Sequence, residues 1–404
     1  MAVKRKSLAE RKKDIGEAIK AINKDAGETI IGTLNDAEIA EKLVIDYIPT
    51  PSLKLNNAIG GGIPRGKFTL VSGNQDSGKT MLNLETIADN IKKDPDFVGA
   101  WFESENSLEE SSIKMFGITD EDLKERFIFM NVDNMPAEKV LDYVIRMAHS
   151  GVDMIVINSL KALTPEKEFK DSMEDNNVAL QARLNAKFMR VIIPTIAASG
   201  SALVCIQHYT TDIGGFSMGD NKSIAGGLSI KYHNMLTIEL RKGFIDAKHP
   251  LHAVKDQYFP VKAKITKNHC VTDRNVYVTT DYAVKIGQGI DATQEIFEVV
   301  FDKGIVVKNG GWIREYEQGK EPVKGNERIL EDGTKASWNG MAKFVEYVNT
   351  HPEYYEYLKS RVDTVDIKAE SLSEEEIEEI KEQETYEAQE VEKLEAMLDE
   401  SMDN

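Results

Sequence analysis

Apolar and polar positions follow two periods along this chain. Between residues 5 and 23, Ile15, Ala18, Ile19 and Ile22 recur at the spacing of one helix face, which predicts an amphipathic helix. "TPSLKLNNAIGGGIPRG" (50–66) is rich in turn residues and predicts an irregular entry to the core. "KFTLVS" (67–72) is an apolar run of β-formers and predicts a buried strand. "TMLNLETIADNIKK" (80–93) returns to the helical period, with Leu84, Ile87, Ala88 and Ile91 on one face. Strands and helices then take turns. Strands are predicted at 97–103, 153–158 and 202–207, and helices at 136–151 and 177–199, the second with Pro194 placed to kink it. Such alternation predicts an α/β fold with a mainly parallel, twisted sheet and helices on both faces. The pattern changes after Gly214. "GGFSMGDNKSIAGG" (214–227) has five glycines and little to bury, and predicts a long mobile loop. Strands at 234–240 and 261–267 follow. From about residue 285, helical and turn-rich patterns predict a small α+β domain. There is no internal repeat.

Composition narrows the class. A chain of 404 residues, 41% hydrophobic, is long enough for two or more domains with a real core. Two cysteines, Cys205 and Cys270, argue against a disulfide framework and suit a reducing compartment. The N-terminus is basic without an apolar run, so no signal peptide is expected. No stretch approaches the roughly 18 apolar residues of a membrane span. The net charge of −18 is uneven: residues 371–404 carry −12 and the rest only −6. Two readings of that acidic tail stand, a solvated or disordered segment, or a polyanion that competes with DNA for a basic groove.

"GNQDSGKT", Gly73 to Thr80, carries the chemistry. Gly, four residues, then Gly-Lys-Thr is the P-loop spacing, here between a predicted strand and a predicted helix. In such a loop the backbone N–H groups of Gly73, Asn74, Gln75, Asp76, Ser77 and Gly78 turn toward phosphates, at the positive end of a helix that opens with Thr80 and Met81. Lys79 would reach the β- and γ-phosphates of ATP, and the Thr80 hydroxyl would ligate Mg²⁺.

Glu103 and Glu105 lie just past the second strand, where carboxyl ends converge on the ligand of a doubly wound sheet. Either could orient the water that attacks the γ-phosphate, or both are solvated acids at a strand end. "MIVINS" ends in Asn158 where a metal-shell Asp is usual. Mg²⁺ is then held mainly by Thr80, phosphates and water, or the site hydrolyses poorly. An Asp at 158 is expected to be tolerated. His249 and His252 form an HxxH without a third ligand of suitable spacing and predict no metal site.

The order of these motifs resembles the RecA-type recombinases. "TPSLKLNNAIGGGIPRGKFTLVSGNQDSGKT" resembles that family's approach to its P-loop. "AWFESENSL" resembles the stretch carrying its catalytic glutamate, which falls on Glu105. "VDMIVINSLKALTPEKE" resembles its metal strand and first DNA loop, and "GGWIREYEQGKEPVKGNERI" its C-terminal domain. The resemblance implies a P-loop RecA-like core at 46–284, an N-terminal oligomerisation helix in 1–45, a C-terminal α+β domain at 285–365 and an acidic tail at 366–404. It implies an ATP- and Mg²⁺-dependent filament on single-stranded DNA that pairs with homologous duplex DNA, a DNA-dependent ATPase active in recombination and repair. The implied roles are Lys79 and Glu105 in catalysis, Thr80 and Asn158 toward the metal, and Lys267 toward a neighbour's γ-phosphate. Arg183, Arg190, Tyr209, Gly226 and Gly227 are implied in DNA binding. The DNA loops fall on about 170–179 and 209–225. Single-strand-binding and loader proteins are candidate partners, and the cytoplasm of a bacterium or a phage-infected host is the expected location, with no membrane role.

Several positions depart from the family pattern. His208 replaces a Gln that senses ATP, and marks the phage branch as the expected placement. His269 replaces a second trans lysine, Ser112 a Tyr under the adenine, and Thr210 and Asp212 basic residues of the second loop. A hexameric helicase of the same core fold, or an ATP-binding filament regulator with weak hydrolysis, is the alternative that the sequence leaves open.

Overall fold

The computed structural model describes residues 6–170, 178–211, 222–224, 228–244, 256–271, 277–363, 369–382 and 385. The chain divides into two units after Asp46. In the first, helix α1 (Leu8–Ala26) starts in a capping box between Ser7 and Glu10 and ends at Gly27 in the left-handed region; none of its residues is buried.

The second unit is built on an eleven-stranded sheet. Its main strands are β1 (Phe68–Gly73), β2 (Gly99–Glu103), β3 (Phe127–Asn131), β4 (Met154–Asn158), β5 (Ala202–Thr211), β6 (Leu236–Lys242), β7 (Tyr258–Asn268), β8 (Val278–Lys285) and β9 (Gly289–Ile290). Their spatial order is β9-β8-β7-β6-β1-β5-β4-β2-β3. The six strands from β6 to β3 in that order are parallel. The other three pair antiparallel. This is the predicted mixed α/β sheet, mainly parallel.

Both faces of the parallel strands are buried, so their sequences read as continuous apolar runs. One face packs on α2 (Lys79–Lys93) through Leu82, Leu84, Ile87 and Ile91. The other packs on α3 (Ala137–His149) and α4 (Val178–Ser199) through Val140, Val144, Phe188 and Ile192. Pro194 lies inside α4, which runs through it as one helix.

The segment read as a turn-rich entry holds a short helix, Leu53–Ile59, capped by the Ser52 side chain on the N–H of Leu55. Of the predicted loop at 214–227, only residues 222–224 are described. Lys222–Ile224 forms a strand antiparallel to the end of β5. A third core gathers α5 (Ala292–Asp302), α6 (Met341–Thr350), α7 (Pro352–Asp363) and a three-stranded antiparallel sheet around Phe297, Trp338, Phe344 and Leu358. The start of the acidic segment is part of the main sheet: Glu370 and Ser371 pair with β8, and Leu372 is buried. Among the described residues no helix is long and apolar enough to cross a membrane.

Candidate nucleotide and catalytic site

The site forms where parallel strands end together. Register places Gly73, first residue of the P-loop, beside His208 on β5, and Glu103 on β2 beside Asn158 on β4. A glycine is required at 73, because a Cβ there would lie 2.3 Å from the Leu240 carbonyl oxygen. Gly78 is required for a different reason: it caps α2 at φ 91°, where side chains are strained. Asn74, Gln75 and Asp76 are exposed, Asp76 itself at φ 58°. Thr80 is half-buried in the first turn of α2, and Met81 packs against the core.

Lys79 is 4% exposed and folds back over the loop, its Nζ donating to the carbonyls of Gly73 at 3.1 Å and Asn74 at 2.7 Å. Burial lowers its pKa, opposed by the negative charges of Glu105 and Asp76. A partly desolvated ammonium under a ring of backbone N–H groups favours an anion of high charge. The Ser77 hydroxyl, in the same loop, is buried without a partner among the described residues. An orphaned hydroxyl, a buried lysine and a cradle that admits no Cβ fit a nucleotide's phosphates.

The two glutamates separate cleanly. Glu103 is 1% exposed and accepts five hydrogen bonds. Trp101 Nε1 donates to its Oε2 at 2.8 Å, and Asn158 Nδ2 to the same oxygen at 3.0 Å. The N–H groups of Glu105 and Ser107 donate to its Oε1 at 3.0 and 3.3 Å, and the Ser107 hydroxyl at 3.2 Å. A carboxylate so enclosed has no lone pair directed at a substrate. Glu105 is one-quarter exposed, faces Lys79 electrostatically, and meets His208 Nε2 at 3.3 Å through its Oε2. Sequence position could not choose between the two acids; burial and hydrogen bonding choose Glu105 as the one facing the P-loop lysine.

The same geometry bears on Asn158. Its amide nitrogen is committed to the Glu103 carboxylate, so an Asp there would set two buried carboxylates about 3 Å apart, at strong mutual cost. Whether an Asp is tolerated at 158 then turns on how far a bound cation offsets that repulsion.

The remaining predicted residues are dispersed. Arg183 and Arg190 are exposed on α4. Lys267 on β7 donates through Nζ to the Lys231 carbonyl at 2.8 Å and to Asn234 Oδ1 at 2.9 Å, at the end of the helix Leu228–His233. Tyr209 pairs through its backbone with Ile224, at the base of a hairpin that starts one residue after His208. Gly226, Gly227, Asp212, His249, His252 and most of both predicted DNA loops lie outside the described residues.

A family model described as the RecA N-terminal domain matches residues 13–291. The chain belongs to the RecA family. It is 29% identical over 354 residues to "Protein RecA" of Thermus aquaticus, covering 87% of this chain and 94% of that relative. It is 28% identical over 373 residues to "Protein RecA" of Campylobacter hominis, covering 89% and 98%. A Campylobacter jejuni subsp. doylei RecA matches at 29% over 345 residues, 82% of this chain. These relatives are bacterial, and the phage placement expected from His208 finds no support among them.

Two functional features of this RecA-family site were not legible in the sequence. The pairing of Glu103 with Asn158 depends on a contact 55 residues apart in the chain, and Glu103 as an anchor depends on the turn folding back so that Glu105 and Ser107 reach its carboxylate. The only local hint was Glu-x-Glu at a strand end.

Proposed function

We propose that Lys79, Thr80, Glu105 and His208 form a nucleotide-gated switch in which ATP turnover is coupled to the DNA-binding hairpin. As a RecA-family member the chain is an ATP-dependent recombinase of DNA repair and recombination, and a DNA-dependent ATPase. The family uses ATP and Mg²⁺, binds DNA and forms filaments. The observation that carries the residue roles is the 3.3 Å contact between Glu105 and His208, beside the P-loop lysine.

In this reading Lys79 leaves the loop carbonyls for the phosphates when nucleotide binds. Thr80 would hold Mg²⁺, which when bound would supply charge neutralisation on the phosphates. The carbonyl oxygen of the Asn158 amide would be the acceptor that this residue offers toward the metal site. Glu105 orients the attacking water and accepts its proton. His208 joins the two ends of the switch. Its ring touches Glu105, and its backbone leads directly into the hairpin of Tyr209–Thr211 and Lys222–Ile224. Displacing the ring on nucleotide binding shifts the stem that leads to the second DNA loop. Differential affinity of ATP for the two stem positions then couples turnover to DNA.

Arg183 and Arg190 would contact DNA phosphates, and Lys267 would reach a neighbour's nucleotide on leaving the Leu228–His233 helix end. Single-strand-binding and loader proteins would assist assembly. A phage origin rests on His208 alone.

The test combines electron microscopy of the protein with single-stranded DNA and a non-hydrolysable ATP analogue, and ATP turnover with and without DNA. Helical filaments and DNA-stimulated turnover that Glu105→Gln abolishes are expected. Closed hexameric rings that unwind duplex DNA without strand exchange would instead make it a helicase.

A further inference from the structure

We infer that Glu103 is the positioning residue of the hydrolytic site, holding the turn that presents Glu105, and that residue 158 is an amide because Glu103 is a carboxylate. The inference rests on Glu105 as the residue that orients the water.

The turn after β2 is fixed from three sides. Ser104 donates through its N–H to the Asn158 carbonyl at 2.8 Å, and its hydroxyl accepts from the N–H of Ser159 at 2.8 Å. Asn106 sits at φ 52°, a left-handed conformation that Asn tolerates better than most residues. Its side chain donates to Asp133 at 2.8 Å and accepts from Asn131 at 3.1 Å, tying the turn to the end of β3. Ser107 is held by Glu103 through both its N–H and its hydroxyl. The side chains of Ser104, Asn106 and Ser107 are thus spent on the ends of β2, β3 and β4 and the residues just after them. Glu105 has only its backbone N–H tied down, by Glu103, while its carboxylate faces His208 and Lys79. The turn is built around one outward carboxylate.

Glu103 suits this position for a specific reason. A buried carboxylate offers about four acceptor sites and no donor, so it can gather several N–H and O–H groups that a neutral side chain cannot. It takes donors from β2 itself (Trp101), from the turn (Glu105, Ser107) and from β4 (Asn158). Each additional charge-assisted bond offsets part of the desolvation of the carboxylate. Asn158 completes the set only as an amide, because the atom facing Glu103 must donate. Orientation of a reacting group matters steeply: a displacement of about 1 Å costs on the order of a hundredfold in rate.

The experiment uses full-length Glu103→Gln, Asn158→Asp, the double variant and Glu105→Gln. Single-stranded-DNA-dependent ATP turnover is measured across ATP concentrations. Hydrogen exchange is followed at the amides of Glu105 and Ser107. Glu103→Gln sets an amide N–H₂ against the Trp101 or Asn158 donors. We expect it to lose about tenfold or more in kcat with KM for ATP within about twofold, and to speed exchange at the turn but not in the rest of the sheet. Asn158→Asp should lose more. The double variant should recover at least about threefold over Asn158→Asp, because one carboxylate again faces one amide. Wild-type kcat in Glu103→Gln beside an inactive Glu105→Gln overturns the positioning role, as does a double variant no better than Asn158→Asp. An active Glu105→Gln overturns the Glu105 reading instead. The two failures are separable, because unchanged exchange in Glu103→Gln overturns the positioning role whatever Glu105 does.

Discussion

Replacing Glu85 by Gln should stabilise the protein in alkaline solution and not in acid. Glu85 lies on α2, two turns beyond the P-loop lysine, and is 6% exposed. Both of its oxygens accept from the N–H of Ile290 on β9, at 3.0 and 2.9 Å. The neighbouring residue must be glycine, since a Cβ at Gly289 would lie 2.4 Å from the carboxylate. Burial raises the pKa of Glu85 from 4.5 to about 8, with the Ile290 N–H pulling it down, Asp89 and Glu295 pushing it up, and Lys92 opposing them. Tyr282 on β8 adds a buried hydroxyl nearby, without a hydrogen-bond partner among the described residues. The folded state therefore holds its proton where the unfolded state has lost it. Stability falls as pH rises from 4.5 toward 8, and the loss is complete above that value. At about 1.4 kcal/mol per tenfold difference in proton affinity the full shift would be worth ~5 kcal/mol. Interior sites respond as though the effective dielectric were about 20, so about 2 kcal/mol is the expected effect. Gln keeps one acceptor for Ile290 and carries no charge to desolvate. Urea unfolding of both proteins, free of nucleotide and DNA, measures the difference. We expect Glu85→Gln to be more stable by about 2 kcal/mol near pH 9, and equal to or slightly less stable than wild type near pH 5.5. A difference that stays constant across this range would refute the assignment of a neutral, buried Glu85. Glu295, raised to about 7 by its own burial, titrates in both proteins, and its repulsion of the Glu85 charge is part of what Glu85→Gln removes.

Three further outcomes are expected. Lys79→Ala should lose ATP turnover by about a hundredfold or more, because no other cation is buried in the loop; turnover near the wild-type rate would remove Lys79 from the mechanism. His208→Ala should bind ATP yet lose the coupling. DNA titrations with and without an ATP analogue, and turnover with and without DNA, would both have to keep their wild-type ratios to remove His208 as the link. Truncation should begin after Glu382, since Glu370, Ser371 and Leu372 belong to the sheet and Glu376 lies 3.6 Å from Lys264. Removing 383–404 deletes a net −7 and should tighten binding to duplex DNA at low salt. The gain should shrink as screening shortens toward roughly 10 Å at 0.1 M salt, and equal affinities at low salt would exclude an electrostatic role for the tail.

Local pattern was enough for much of this molecule. The P-loop is specified by neighbours in sequence: Gly73 and Gly78 for conformation, Lys79 and Thr80 for charge and metal, with a strand before and a helix after. The helices α2, α3 and α4 and the strands β1, β2, β4 and β5 announce themselves because buried elements must carry apolar residues at their own period. Edge strand β3 was not foreseen. Ile128 and Phe129 on it are exposed, so no alternation of buried and exposed positions marks it. The strand β9 is too short for a pattern, with Gly287 and Gly289 in and before it, whereas β8 carries the β-formers Val278, Thr279, Thr280, Tyr282 and Val284 and was open to a strand reading. The site's inner order was decided by tertiary structure alone. Apart from the family resemblance, which points to Glu105, nothing in "FESENS" distinguishes Glu103 from Glu105, since both are acids at a strand end. Trp101 and Asn158 distinguish them by closing around one and leaving the other free to face Lys79. Glu85 reads as one more polar residue on a helix until Ile290, 205 residues away, covers it. Hydrogen bonds and burial depend on what the fold brings within about 3 Å, and sequence spacing sets that distance only within a turn or two of helix or along a strand.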